Sequence, residues 1–558
     1  MDHGVEGRTV YKRDLEPAAE AERLVSTCDA SEYLRRAEGR FESETSRTHH
    51  YLYSQTVPLT QNLTTVINMP SSGHDSMIDL DKMEDLNRLF RLFTLVSTGL
   101  PTLRRSLKDS ILRRGKDINQ SSITIDVVED VDVDADNVDA TGTAAKGKGK
   151  GRARDPPQTL FLALKWVQDV LDLKDRFDRL WKNALESNRE VESALNEGFE
   201  DFVNLNEKAP EFISLFIDEN LKKGLKSKTD IEVDLVLDKT ITVFRYITEK
   251  DAFERYYKNH PAKRLLFGRS VSDDAERGIL AKLKVECGYQ FTQKLEGMFI
   301  NDMRISSETM QDYRQHLQNI SPLGLEIFVT AMTSTFWPMS YTASTCIFPE
   351  ILSRSCKNFE NFYLSRHSGR RLTWQLSLGN ADVRRIQFKF RKHDLNVSTF
   401  ALIILLLFED VGDDGFLTYE AIKSTTLIPE QELQRHLQSL AYVHPEDSFS
   451  FNAGFICPMQ RIKINTVSAR VESTEERKET RDRIDEERQY QTEACIVRVM
   501  KDRKQMSHND LINEVTRQLA TRFQPNPQDI KRRIETLIDR EYLERCDDRK
   551  SYKYLVRR

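Results

Sequence analysis

Ala494-Cys495-Ile496-Val497-Arg498-Val499-Met500-Lys501-Asp502-Arg503-Lys504 is the stretch on which the reading of this chain turns. Wound as a helix at about 100° per residue, it gathers Ile496, Val499 and Met500 into one apolar arc. Lys501 falls roughly opposite the centre of that arc, flanked by Ala494 and Arg498. Such a helix docks by its apolar side and holds a single amine out to water. Many solvated helix lysines do the same, so the downstream sequence matters more. Ser507-His508-Asn509-Asp510 can start a second helix that runs through Leu511-Ile512-Asn513-Glu514-Val515 to Phe523, with Pro525 and Pro527 as its stop. A third opens at Asp529-Ile530-Lys531-Arg532-Arg533-Ile534. Glu541-Tyr542-Leu543-Glu544-Arg545 and Ser551-Tyr552-Lys553-Tyr554-Leu555, on either side of a polar turn, read as a two-stranded wing. Three helices and a wing predict a winged-helix domain.

Upstream, Val397 to Phe408, Thr418 to Thr425 and Pro429 to Leu440 give a second three-helix set. A strand pair at Phe449-Ser450-Phe451 and Arg461-Ile462-Lys463-Ile464 would complete another winged-helix-like unit. Between about 325 and 390 the apolar period shifts toward two, in Ile327-Phe328-Val329-Thr330 and Leu372-Thr373-Trp374-Gln375-Leu376, which predicts an α/β sheet. From Leu160 to about Tyr313 the period is helical. Phe216, Leu221, Leu235, Leu237, Ile241, Val243, Phe244 and Ile247 supply the apolar positions of a helical bundle. Residues 15 to about 120 are helical too: Asp29-Ala30-Ser31-Glu32 can cap Tyr33 to Thr48, and Met83 to Leu100 carries a face of Leu86, Leu89, Phe90, Leu92 and Phe93. Residues 120–157 interrupt the pattern. Asp126 to Asp139 holds seven acids and no base, then Lys146 to Arg152 is basic and glycine-rich, closed by Pro156-Pro157. No core can form from this composition, and a mobile, self-compensating linker is expected rather than a nuclear-import patch.

Bulk properties narrow the function classes. At 558 residues several domains are expected rather than one core. A net charge of −5 argues against nucleic-acid binding along the whole chain. From Cys495 to Arg558, however, 16 Lys/Arg stand against 10 Asp/Glu, and this local balance of +6 suits DNA or an acidic protein. The seven cysteines (28, 287, 346, 356, 457, 495 and 546) are odd in number and never spaced as Cys-x-x-Cys, which fits neither a disulfide framework nor a zinc site. The polar start Met1-Asp2-His3-Gly4-Val5-Glu6 lacks a signal-like apolar core, and the run Phe400 to Phe408 is too short to span a bilayer. A soluble intracellular protein without membrane contact is expected.

Catalytic chemistry finds no constellation. His260, His316, His367 and His508 lie far apart, with no Cys or carboxylate at matching spacing. Asp410-Val411-Gly412-Asp413-Asp414-Gly415 lacks the alternating ligands and closing Glu of a calcium loop and reads as a turn. No Gly-rich loop precedes a Lys-Ser/Thr pair, so nucleotide binding has no support. No cofactor and no metal are expected.

The Ile496-to-Lys504 run, followed by a winged helix that ends in Tyr552-Lys553-Tyr554, closely resembles the neddylation domain of the cullin family. The resemblance continues upstream through Glu475-Glu476-Arg477-Lys478-Glu479-Thr480-Arg481, Leu372-Thr373-Trp374 and Glu211-Phe212-Ile213-Ser214-Leu215-Phe216-Ile217-Asp218, and covers most of 15–558. Phe253-Glu254-Arg255-Tyr256-Tyr257-Lys258 and Ser270-Val271-Ser272-Asp273-Asp274 are similar to the cullin-3 class, which uses BTB-domain adaptors.

The resemblance implies a mainly α fold. An N-terminal tail (1–14) is followed by helical cullin repeats (15–205) containing the insertion 120–157. A cullin homology region then comprises a helical bundle (206–325), an α/β sheet (326–395), a first winged-helix unit with sheet strands (396–470), and a linker helix with the C-terminal winged helix (471–558). It implies a non-enzymatic scaffold of a cullin-RING ubiquitin ligase, serving ubiquitin-dependent degradation in cytoplasm and nucleus. Lys501 sits where the family carries its isopeptide acceptor for a ubiquitin-like modifier, with Lys504 as the nearby decoy. In the family a strand of the RING-box partner is added to the sheet; Leu372, Trp374 and Leu376, alternating on one face, are the candidate wall, and zinc belongs to that partner. Two departures stand out. Pro261 lies inside a helix, where it should kink it at a cost of roughly 3 kcal/mol if uncompensated, and the chain ends Leu555-Val556-Arg557-Arg558. The chain enters the family pattern in the second repeat, around Glu16 to Phe41, so the repeat that docks the BTB adaptor is expected to be absent. The alternative is a winged-helix nucleic-acid binder, disfavoured because Asp529, Glu535 and Asp539 dilute the third helix.

Overall fold

Helices form most of the chain in a computed structural model, which describes residues 22–45, 64–69, 71–123, 158–224, 229–270, 272–318, 325–338, 346–388, 391–409, 411, 415–441, 448–450, 452, 455, 457–464, 474–546 and 550–555. Most of the expected insertion, 124–157, lies outside these residues, as do Asp410 and Gly412 to Asp414. Two compact units emerge. One takes in residues up to Arg264, Arg269–Phe291 and Gln491 onward; the other takes in Leu265–Gly268 and Thr292–Tyr490.

The first unit starts with stacked helices whose ends follow from local chemistry. Asp29 caps Ala30–Thr45 through its Oδ1, which accepts from the Glu32 amide at 2.7 Å. Met83–Thr94 buries Leu86, Leu89, Phe90, Leu92 and Phe93 as its spacing requires. It ends at Thr94 rather than Leu100, and a new helix begins at Gly99. Helices Gly99–Ile123 and Arg189–Asn204 cross closely because Gly115 has no Cβ; one built there would sit 2.3 Å from the Phe202 ring. Helix Asp230–Arg245 begins with a capping box of Thr229 and Glu232. Of the bundle positions read from sequence, Leu235 is exposed, whereas Phe216, Leu221, Leu237, Ile241, Val243, Phe244 and Ile247 are buried.

Lys250–Leu266 runs through Pro261 as one helix. Its fully buried Arg264 is clamped between Asp218 and Glu276, with Nε and Nη2 donating to the two Glu276 oxygens at 2.7 and 2.8 Å. The N-terminus of this helix is closed from elsewhere in the chain. The amides of Lys250 and Asp251 both donate to the carbonyl of Arg522, at 2.9 and 3.2 Å.

In the second unit, helices Met303–Gln318 and Glu350–Arg366 share a core of Met310, Tyr313, Phe359, Phe362 and Tyr363. The two segments expected as sheet strands lie on this core but join no ladder: Ile327, Val329 and Ala331 pack on it from one extended stretch, Leu372 and Trp374 from another. The three-stranded sheet is built instead from Asn380–Phe388, antiparallel to Arg391–Ser398, with Arg461–Lys463 parallel on the far side. Leu376 departs from the expected alternation. It begins a short 3-10 turn, Leu376–Leu378, and packs on a different core, formed by Phe400, Ile403, Ile404 and their neighbours.

Helices Thr399–Leu406, Tyr419–Thr426 and Glu430–Leu440 match the expected triad. The expected strand pair does not form. Ser448–Phe449 pairs with Leu417–Thr418, while Arg461–Lys463 joins the larger sheet. A strand of two or three residues has too little period to identify its partner, so sequence alone could not assign them.

Candidate functional site

The C-terminal winged helix is built around one core. Cys495, Ile496, Val499 and Met500 from helix Thr474–Arg503 meet Leu511, Val515 and Leu519 from His508–Leu519, Ile530, Ile534 and Leu537 from Pro527–Asp539, and Leu543 and Tyr552 from the sheet. Burial pushes the Cys495 thiol pKa up. Ser507 caps the second helix, its Oγ accepting from the Asp510 amide at 3.2 Å. That helix ends at Leu519 rather than Phe523. Pro527 begins the third helix, at a position where its missing N–H costs nothing, and Asn526 caps it. The expected two-stranded wing is a three-stranded sheet: Gln505–Ser507 pairs with Ser551–Tyr554, which also pairs with Leu543–Arg545. Gln505-Met506-Ser507 was missed because it is three residues long; its polar-apolar-polar order was the only trace.

Lys501 lies where its helical angle requires. It is exposed in the last turn, in line with exposed Ala494 and Arg498, while the opposite side of the helix is core. Its side chain makes no ion pair or hydrogen bond among the described residues. Lys504, three residues on, is placed differently. It is the first residue past the helix and is left-handed, with φ +67°, a conformation that costs a side-chain-bearing residue about 1–2 kcal/mol. The Lys504 amide donates to the Met500 carbonyl at 2.8 Å, closing the helix end, and the Lys504 carbonyl accepts from the Tyr554 amide at 2.9 Å. Its Nζ stands over the Tyr554 ring, 5.5 Å from the centroid.

Leu372 and Trp374 lie together on the core of the second unit, whereas Leu376 does not join them. None of the three belongs to the unit that holds Lys501.

Several arginines of this region are held by carboxylates. Arg532 pairs with Asp529 at 3.4 Å, Arg533 and Arg540 both reach Glu493, at 3.5 and 3.1 Å, and Arg545 pairs with Glu535. A third helix whose arginines are tied to neighbouring carboxylates is a poor reader of nucleic acid.

Comparison with known families matches three consecutive segments: residues 18–310 to the cullin alpha solenoid domain, 331–455 to the cullin alpha+beta domain, and 487–549 to the cullin protein neddylation domain. The chain belongs to the cullin family. Its relatives include Cullin-3A of Arabidopsis thaliana, 39% identical over 99% of this chain and 74% of the relative. Cullin-3 of Dictyostelium discoideum is 38% identical over 100% and 76%. Cullin-3 of Schizosaccharomyces pombe is 41% identical over 96% and 69%. A solved chain from "A Dual E3 Mechanism for Rub1 Ligation to Cdc53: Dcn1(P)-Cdc53(WHB)" is 40% identical, covering 16% of this cullin and 100% of itself, with a TM-score of 0.14. As a cullin, the protein is a scaffold of E3 ligases, and the winged helix that carries Lys501 is its neddylation domain.

Proposed function

We propose that this cullin carries its ubiquitin-like modifier on Lys501 and assembles a ligase by binding a RING-box protein, in support of ubiquitin-dependent protein degradation in cytoplasm and nucleus. The observation that carries the acceptor assignment is the contrast on one helix: four residues sunk in the core, and opposite them a single exposed amine without a partner among the described residues. A rigid base that leaves Nζ accessible is what an isopeptide acceptor needs, since the activated carbonyl and the catalytic cysteine arrive on other proteins.

The RING-box reading rests on the extended stretches Ile327–Ala331 and Leu372–Trp374. Both lie on one helical core and neither is laddered, an arrangement open to an added strand. Modification then biases the RING subunit between docked and free states.

Lys501→Arg tests the acceptor. Arginine keeps charge and helix propensity, but its guanidinium stays protonated and does not form the isopeptide. In a reconstituted reaction read by intact mass, Lys501→Arg is expected to lose modification while its unfolding curve and RING-box pull-down match wild type. Undiminished modification of Lys501→Arg refutes the assignment.

A further inference from the structure

The Lys501 reading leaves a chemical question open. A second primary amine, Lys504, stands one helical turn away, also exposed and also near the C-terminal end of the helix. We propose that Tyr554 is a selectivity residue: it holds the Lys504 amine over its ring and so leaves Lys501 as the amine that takes the modifier. This inference rests on the Lys501 reading and extends it.

Three observations converge on Lys504. Its left-handed backbone takes it off the helical path on which Lys501 stands. Its amide and carbonyl are both engaged, the first by Met500 and the second by Tyr554, so the backbone is fixed from the helix and from the sheet. Its ammonium lies within cation–π range of the Tyr554 ring. Tyr552 and Tyr554 share one face of strand Ser551–Tyr554. Tyr552 is buried in the core and its hydroxyl meets His508 Nδ1 at 3.0 Å, whereas Tyr554 is half-buried at the core's rim, where Lys504 reaches it. The Tyr-x-Tyr ending thus divides its labour: the first ring packs, the second restrains an amine.

The chemistry explains why restraint suffices. The reacting species is an unprotonated Nζ, which adds to the carbonyl carbon of the modifier's C-terminal thioester on a carrier enzyme. The C–N bond forms as the C–S bond breaks, the carrier thiolate leaves, and the amine proton passes to solvent. A ring beneath the amine holds it in place and blocks one direction of approach. At an exposed site such contact shifts populations by about 2- to 5-fold, and the fixed backbone adds to that by keeping the amine off the path of attack.

The test uses the full chain in four forms (wild type, Lys501→Arg, Tyr554→Leu with Lys501→Arg, and Tyr554→Phe), with the modified lysine located by peptide mapping. The double variant is expected to regain modification at Lys504, several-fold above Lys501→Arg alone, and Tyr554→Phe, which keeps the ring face, is expected to modify Lys501 as wild type does. If the double variant stays as unmodified as Lys501→Arg, or Lys501→Arg with Tyr554 intact is modified at Lys504 at a rate well below that of wild type, the selectivity role is overturned while the Lys501 reading stands. Undiminished modification of Lys501→Arg sinks that reading instead. Because loss of the ring can weaken the sheet, wild-type protein supplies an independent measure: competitive acetylation by a small activated ester. Lys501 is expected to react about 2- to 5-fold faster than Lys504; equal rates overturn the proposal without reference to any variant.

Discussion

Two three-helix units in this chain start from the same sequence pattern and use it in opposite ways. Phe400, Ile403 and Ile404 are spaced as Ile496, Val499 and Met500 are, and both trios are buried. On the other side of helix Thr399–Leu406, Ala401 and Leu402 sink into a second core with Leu395 and Val397, and Leu405 packs against it. On the other side of the C-terminal helix stand Ala494, Arg498 and Lys501, all exposed. Counting five residues from the first of each trio gives Leu405 in one unit and Lys501 in the other. A helix enclosed by two cores is a structural strut. One covered on a single side can offer a side chain to another protein.

The largest expected effect breaks the comparison at its lysines. Lys501→Arg should remove modification almost entirely, about 100-fold or more in rate, on the principle that a protonated guanidinium is no nucleophile. Lys423 lies in the first three-helix unit, where its amine is held by Glu430 at 3.1 Å and its pKa pushed up by that carboxylate. Lys423→Arg should leave the modification rate where it was. A fall in that rate would mean that lysine accessibility does not distinguish the units.

A smaller effect tests the enclosure itself. Leu405→Lys sends a charge toward the second core and should lower the stability of helix Thr399–Leu406 by about 2 kcal/mol. Arg498→Ala, on the open side of the other helix, should stay within about 0.5 kcal/mol. Urea unfolding followed by hydrogen exchange in each unit measures both, and equal losses would remove the distinction.

The smallest effect is a difference in acid sensitivity. His436 is buried beside Ser398, whose Oγ lies 2.9 Å from Nδ1, with Glu432 at 3.4 Å from Nε2, Arg435 nearby and the Phe400 ring against it. Burial outweighs Glu432 and lowers its pKa below 6.5. The unfolded chain therefore takes up the proton first, so stability is lost as pH falls below about 6.5. In the C-terminal unit, Arg517 and then Gln518 hold the Glu514 carboxyl at about 2, against an ordinary 4.5. Its contribution is present above the ordinary value and disappears as pH falls from there toward 2. Exchange rates recorded from pH 7 to 3 should show the three-helix unit that holds His436 loosening at milder acidity than the C-terminal winged helix. His436→Gln should erase that lead; if the lead persists, another group is responsible.

Helix positions and the Lys501 platform were legible because a period of 3.6 repeats often enough to be read, and because Ser507 and Asp29 carry the capping chemistry that marks a start. Strand partners were not. Ile327–Thr330 alternates like a strand and is extended, but its inward groups are satisfied by helix side chains: the Ser306 hydroxyl donates to the Val329 carbonyl and accepts from the Ala331 amide. Leu376 shares the parity of Leu372 and Trp374, yet the turn that begins at it carries it to another core. Lys504 was singled out by its distance from Lys501; what holds it is a ring fifty residues later in sequence, a pairing that no local pattern records.

The carbonyl of Arg522 gives the molecule a built-in gauge. It lies just past helix His508–Leu519 of the neddylation domain, yet it completes the first turn of Lys250–Leu266, far away in sequence. Those two amides can be protected only while the neddylation domain is seated; each excursion leaves both donors to water. Their deuterium uptake therefore counts the fraction of time the domain spends lifted, with no label attached to the domain itself. Compared between the unmodified and Lys501-modified protein, the same pair of peaks would report, in one number, how far a bond formed on one face of the domain loosens the opposite end of its second helix.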